Sequence, residues 1–533
     1  MTISITAFYV ILAISYIGFN AGLWGVFKKA GEKGWKSLVP VYRDFVWLRV
    51  LSRPKWWMIL IILPVSNVFM GYMMIWKTIR LFGKTSYIPL VFGTFFNFAY
   101  LPYLGFSKRE QYTRLADLPP FKKSSLREWG DAIIFAVCAA FLFRTFLVEL
   151  YTIPTSSMES TLMVGDFLAV SKVRFGARIP ETTLAIPFMH HTVLGTKKVP
   201  SYVPWLQLAY MRLPALTPVK NNDPIVFNSP DGDTVAIERQ SESYYAIVRD
   251  FEAILNPNAT EEEKYRVSLL YPSEVMYIRN KYGTTPYYPG KGREAVKQEY
   301  TVRARPVDKR ENYVKRCVGL PGDKLQIING QLYINDKAAK NPENMQFRYI
   351  VKGGIPKSKL KKMNINEEDV YRDCYCLNSK QVKELRAAGK EVIPQFEGNE
   401  YKPDIFPNDP RYKWNKDNYG PIVIPKKGVT VTLNDSTIVL YEKIIHNYEL
   451  NTLEKKDGKI YINGKEADKY TFQMDYFFMM GDNRHNSADS RYWGFVPEDH
   501  IVGKPVFVWL SLDKFKDLGD GKIRWRKMFR KIK

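Results

Sequence analysis

Apolar residues follow two different patterns along this chain. Residues 3–27 (ISITAFYVILAISYIGFNAGLWGVF) carry no charge over 25 positions, enough for a helix to cross a hydrocarbon core of about 30 Å. Similar runs predict spans at about 56–76 and 86–106, and a fourth at 132–150. In the fourth, Arg144 and Glu149 near the far end stop the bilayer part near Phe143. Pro64 and Asn67 in the second are tolerated where bilayer helices pack together. Beyond residue 150 the pattern changes to short apolar stretches closed by turn residues, such as Val164-Gly-Asp-Phe-Leu-Ala-Val-Ser and Tyr313-Val-Lys-Arg-Cys-Val-Gly-Leu-Pro-Gly-Asp. Stretches of this kind predict strands. Gly330-Gln-Leu-Tyr-Ile-Asn and Gly458-Lys-Ile-Tyr-Ile-Asn repeat one pattern and predict short β-hairpins.

Charge adds an orientation. Lys and Arg number eight in 28–55, three in 77–85 and six in 108–131. The two richer loops suit the cytoplasmic side, so the amino terminus and everything after residue 150 face outward. A competing reading keeps 56–106 as helices lying in the interface. The first run lacks the basic leading segment of a typical signal peptide. The expected layout is a membrane region at 1–107, a cytoplasmic linker at 108–131, an anchor at 132–150 and an extracytoplasmic domain at 151–533. The formal net charge of +24 invites a nucleic-acid reading, but the basic residues are scattered and many flank apolar runs, so no nucleic-acid partner is expected. Cys138, Cys317, Cys374 and Cys376 fit neither a disulfide framework nor a common zinc pattern. No metal or cofactor is expected.

Just past the anchor comes Tyr151-Thr-Ile-Pro-Thr-Ser-Ser-Met-Glu-Ser-Thr-Leu. A hydroxyl run after a proline is by itself an ordinary turn or cap. Here it abuts a membrane exit, where an exposed serine would meet a bilayer-bound substrate. Such a serine needs a base. His485, close in sequence to Asp482 and Ser487, is one candidate, although residues so near in one loop rarely converge as a triad. Lys315 is the other. Strand alternation puts Tyr313, Lys315 and Cys317 on one face, and burial among such neighbours would lower the amine's pKa toward that of a base.

Four stretches resemble the bacterial type I signal peptidases, or leader peptidases. They are Ile153-Pro-Thr-Ser-Ser-Met158 with Thr161-Leu162 and Gly165-Asp-Phe167, then Asp223-Pro-Ile-Val-Phe227, Asn312 through Lys324, and Tyr476 through Pro497. The resemblance implies a membrane-anchored chain: amino-terminal transmembrane helices followed by a mostly β catalytic domain with a signal-peptidase-like fold. It implies Ser157 as nucleophile and Lys315 as general base, with Ser487 orienting the lysine and Thr155 completing the oxyanion hole. Asp482 with Arg316, and Asp489 with Arg491, would be bracing ion pairs, and Ile153, Leu162, Tyr313 and Val314 would line the substrate pocket. It further implies removal of signal peptides from secretory preproteins at the outer face of the bacterial inner membrane, in contact with the lipid bilayer and near a secretion translocon. The alternatives are a serine–lysine protease of narrower specificity and a catalytically silent membrane scaffold. Ser160 stands where the family commonly has proline, and His485 where it commonly has an acidic residue. The stretches 232–310 and 336–470 are large insertions without a recognisable motif.

Overall fold

The computed structural model describes residues 5–62, 66–118 and 125–532, apart from short stretches at 183, 187, 197–198, 206, 232–233, 240–241, 243, 269, 289, 371, 515, 518 and 520. The chain divides into two units, Met1–Leu142 and Phe143–Lys533.

The first unit is helical: α1 (Ile5–Lys29), α2 (Tyr42–Val50), α3 (Trp57–Ile62), α4 (Ser66–Arg80), α5 (Tyr87–Phe95), α6 (Asn97–Phe106) and most of α7 (Ser125–Phe146). Small residues let α1 and α6 approach closely, as between packed bilayer helices. A Cβ added at Gly25 would lie only 2.7 Å from the Gly105 backbone. Leu23, Val26 and Phe27 then join Trp47, Ile75, Ile79, Leu101 and Leu104 in one buried cluster.

Three expected spans change in detail. Residues 86–106 are not one straight helix, because α5 and α6 meet at 116°. Phe96 between them leaves helical geometry (φ −121°, ψ 34°), and Asn97 Nδ2 donates to Thr94 O, a local bond that competes with the helix ladder. The run 56–76 is divided between α3 and α4, and residues 63–65, which include Pro64, lie outside the described residues, as do 3–4 of the first expected span and 119–124 of the expected linker. The anchor expected at 132–150 instead begins at Ser125 and ends at Phe146, because Val148–Thr152 pair as a strand with Asp166–Ser171. Among the described residues, Glu128–Phe146 is the one helical stretch long and apolar enough to cross a membrane, and α5 with α6 passes the same test only as a bent pair.

The second unit is mostly β. Its main sheet, all antiparallel, runs in the order Val148–Thr152, Asp166–Ser171, Ile501–Ser511, Pro224–Asn228, Asn312–Gly319, Tyr476–Met480 and Val496–Pro497, with Arg530–Lys531 added beside Ile501–Ser511. The 11-residue strand Ile501–Ser511 joins two halves. From Lys504 onward it pairs with Asp166–Ser171, while Ile501 and Gly503 pair with Phe227 and Val226. Register shifts at these junctions are bulges, which bend strands and curl the sheet.

Tyr476–Met480 is buried at all five positions because both its faces are covered. Phe477 and Met479 pack with Ile225, Phe227, Cys317 and Trp493. Tyr476, Phe478 and Met480 enter a larger cluster with Val318, Leu325, Tyr419 and Phe495.

The stretch 232–310 forms a helical outgrowth of α8 (Tyr244–Leu255), α9 (Glu261–Ser268), α10 (Pro272–Tyr282) and α11 (Lys291–Glu299) around its own core of Ile247, Phe251, Ile254, Ile278 and Val296. In the second inserted stretch, Gln346–Val351 pairs with Cys374–Asn378 and Val392–Pro394. The repeated sequences form hairpins, Lys324–Ile328 with Gln331–Ile334 and Leu453–Lys456 with Lys459–Ile462. Both turn residues of each have positive φ, Asn329-Gly330 and Asp457-Gly458, the turn type whose twist suits two-residue hairpins.

Phe478 is fully buried against Tyr419 and Phe495. Phe478→Ala is expected to destabilise the second unit by about 3–5 kcal/mol, read as a lowered midpoint in thermal or urea unfolding.

Candidate active site

The hydroxyl turn is held from both ends. Ile153 N donates to Asp166 O and Gly165 N to Ile153 O, which sets the turn beside the first two strands of the sheet. Residues Ser156–Met158 make one 3₁₀ turn. Met158 and Leu162 sink fully into a cluster with Ile153, Leu168, Val170 and Val226, so the backbone between them has little freedom.

Lys315 arrives from the centre of the sheet. Its strand is flanked by Pro224–Asn228, where Ile225 faces Lys315, and by Tyr476–Met480, where Met480 faces Arg316. The amine is buried, and Lys315 Nζ stands 2.5 Å from Ser157 Oγ. The Tyr313 ring lies 5.9 Å from Nζ. Burial lowers the lysine's pKa to about 8, against the opposing pull of Asp489 and Asp482. At pH 7.5 a lysine titrating there is about a quarter neutral, whereas an ordinary one is neutral about once in a thousand.

The loop after Tyr476–Met480 brings the remaining groups. Gly481 allows close packing, since a Cβ there would lie 2.3 Å from Ser487 Oγ and 2.6 Å from Ser157 O. Ser487 is buried and its Oγ has no hydrogen-bond partner. It therefore reaches the site without making the lysine contact implied for it. A buried hydroxyl left unpaired costs about 1–3 kcal/mol, so a small rotation toward a polar neighbour is favoured. Thr155 Oγ1 lies 3.5 Å from Ser157 Oγ.

Two ion pairs brace this loop. Arg316 Nε and Nη2 donate to Asp482 Oδ1 and Oδ2 at 2.8 and 3.0 Å, while Nη1 donates to Asn222 O. Arg491 Nε and Nη2 donate to Asp489 at 2.9 and 2.8 Å, and Nη2 also reaches Arg484 O. Burial alone would raise the Asp489 pKa, but Arg491 and the Gly481 N–H hold it below the usual carboxylate value.

The implied pocket residues divide. Ile153, Leu162 and Val314 share one cluster, with Leu162 wholly covered by its neighbours. Tyr313 instead stacks on Trp493, with ring centroids 5.4 Å apart. His485 is committed elsewhere: Nε2 donates to Asp417 Oδ1 at 2.6 Å, and Nδ1 accepts from Arg348 N. With both ring nitrogens used, it is no base for Ser157.

Residues 126–383 and 422–510, more than half of the chain, match the family described as signal peptidase, peptidase S26. The chain belongs to this peptidase family. Its relatives include the signal peptidase I of Buchnera aphidicola subsp. Acyrthosiphon pisum, 24% identical over 378 residues that cover 70% of this chain and 72% of that one. The Haemophilus influenzae signal peptidase I is 24% identical over 418 residues, 78% of each chain. That of Buchnera aphidicola subsp. Schizaphis graminum is 32% identical over 207 residues, 38% of this chain and 50% of that one. Residues 35–114 match a family of unknown function.

Within this S26 peptidase the two departures have structural counterparts. Ser160 has φ +68°, which a proline locked near −65° could not adopt. His485 takes both its partners, Arg348 and Asp417, from the second inserted stretch. Four groups at the site went unpredicted. Thr161 Oγ1 donates to Asp482, Asn483 N donates to Ser157 O, and Asn486 and Asp369 bond Ser156 Oγ. The two asparagines lie inside a quoted stretch and could have been picked out. Asp369 sits in a segment with no motif and offered no signal.

Arg316→Ala would leave Asp482 buried without its cation. Such a loss costs about 3–5 kcal/mol, so the variant is expected to unfold at markedly lower urea concentration than the parent.

Proposed function

We propose that Ser157 and Lys315 are the nucleophile and general base of a membrane-anchored endopeptidase that removes signal peptides from secreted preproteins. The single observation that carries the residue assignment is the 2.5 Å contact between the two side chains, made where burial brings the amine's pKa to about 8. The hydroxyl donates to the neutral amine as Ser157 Oγ attacks the scissile carbonyl. Lys315 then holds the proton and passes it to the leaving amine. The Ser157 N–H and the Thr155 hydroxyl meet the oxyanion, a donor of this kind being worth about 2.7–4 kcal/mol. A water deprotonated by the same lysine hydrolyses the acyl-enzyme. Ser487 orients the lysine once its unpaired hydroxyl rotates toward the amine, and the Arg316–Asp482 and Arg491–Asp489 pairs keep the loop rigid. Ile153, Tyr313 and Val314 form the walls against which the small residues before the cut are read, and Leu162, fully buried, backs that wall from inside the core.

For location, the reading is an inner-membrane protein with its catalytic unit on the outer face, cutting signal peptides still held in the bilayer near the translocon. The sequence step from α7 to the first strand is one residue, Leu147. Leu150, Leu184, Phe188, Leu194 and Leu216 are each exposed apolar side chains, of a kind that suits contact with lipid. The basic loops 28–55 and 108–131 support the orientation. A narrower substrate range than a general signal peptidase is favoured by one feature: Asp369 of the second inserted stretch reaches the residue next to the nucleophile.

Ser157→Ala and Lys315→Ala are each expected to abolish cleavage of a purified preprotein while leaving the unfolding midpoint near that of the parent. Processing by pure Lys315→Ala enzyme would refute the lysine as base. For the parent, kcat/KM should rise about tenfold per pH unit below pH 8 and level off above it, because only the deprotonated amine accepts the serine proton. A flat profile between pH 6 and 8 would contradict the assignment.

A further inference from the structure

The second inserted stretch does more than decorate the sheet, because its bonds converge on the catalytic loop. Gln346 N donates to Asp482 O, and Arg484 N donates back to Gln346 O. Gln346 and Asn483 form a parallel bridge. Arg348 N and Asp417 take the two ring nitrogens of His485. The inserted strand Gln346–Val351 thus begins alongside residues 482–485, two to five positions before Ser487.

The same stretch also touches the other side of the site. Asp369 Oδ1 accepts from Ser156 Oγ at 2.9 Å and from Asn486 Nδ2 at 2.7 Å, and Asn486 Nδ2 also donates to Ser156 Oγ at 3.0 Å. Ser156 immediately precedes Ser157, and Asn486 immediately precedes Ser487. One carboxylate oxygen therefore joins the neighbours of two site serines that lie far apart in sequence.

The orientation of the Ser157 N–H follows from the same neighbourhood. Ser156 O accepts from Glu159 N and Asn483 Nδ2. In a trans peptide the C=O and the following N–H point in opposite directions, so fixing that carbonyl aims the Ser157 N–H away from these donors. Asp369 tethers the side chain of the residue that owns the carbonyl. We infer that Asp369 is a positioning residue of the reaction, through which the second inserted stretch holds the nucleophile turn in register with the Ser487 loop. This rests on the reading of Ser157 as nucleophile. Asp369 touches no reacting atom. Its effect is on the alignment of the attacking oxygen and the oxyanion donor, where an error of about 1 Å costs on the order of 100-fold in rate.

The test is steady-state cleavage of a preprotein by full-length enzyme in detergent. Asp369→Ala is expected to lower kcat roughly 10- to 100-fold with KM within about twofold of the parent, and to leave the pH limb near 8 in place. Asp369→Asn keeps an oxygen acceptor and is expected to recover most of kcat. Parent-like kcat in Asp369→Ala, or equal losses in the two variants, would overturn the assignment. Should Asp369→Ala fail to fold, Ser156→Ala removes the donor and leaves the inserted stretch intact. Lowered kcat at unchanged KM supports the inference, and parent-like kcat overturns it. The Ser157→Ala control separates the two levels: cleavage that survives in it refutes the nucleophile, whereas its loss alongside parent-like Asp369→Ala refutes only the positioning role.

Discussion

The structure depends on keeping one amine dry. Lys315 in water would be almost wholly protonated at neutral pH, and the surroundings lower that preference chiefly by withholding solvent, with the Arg491 cation a smaller contribution. Withholding solvent requires that the lysine's strand be interior to the sheet, with a strand on either side and side-chain layers above and below. The curl of the sheet about Ile501–Ser511 meets that need. It brings the cluster around Met158 and the cluster around Trp493 against successive residues of one strand.

Burial of the Lys315 amine brings further polar groups inside, and each has to be matched. Asp482 and Asp489 are fully buried, and each is paired with a guanidinium that bonds it through two nitrogens. Arg484 lacks such a partner: its Nε is unpaired, and burial together with nearby Arg491 lowers its pKa to about 10. Buried ion pairs are poor sources of stability but punish removal of one partner. They keep the loop from Gly481 to Arg491 in one conformation, and that loop carries Ser487 to the Ser156–Met158 turn.

Much of this was legible beforehand, for particular reasons. The Asn-Gly and Asp-Gly turns impose hairpins through local backbone preference. The alternation around Lys315 is a property of any strand, and Tyr313 and Cys317 do pack on one side while Val318 packs on the other. The stretch expected as one span over 86–106 divides into α5 and α6, because hydropathy counts apolar residues and is blind to the bend at Phe96. The last helix ends at Phe146 rather than at 150 because Val148–Thr152 pair as a strand, and the ladder partner lies about twenty residues downstream, beyond any local pattern.

By itself the sequence determined the kinds of group available, the order of apolar runs, and which serine and lysine to compare, since local motifs are written in consecutive residues. It did not determine that Ser157 and Lys315, 158 positions apart, come within 2.5 Å, that the Ser487 hydroxyl stands beside them without a partner, or that His485 turns away to Asp417. Nor did it disclose Asp369. These are facts of where the sheet curls and where an inserted stretch lands on it. Contacts between distant segments are decided by packing summed over the whole core, which no single stretch of residues contains.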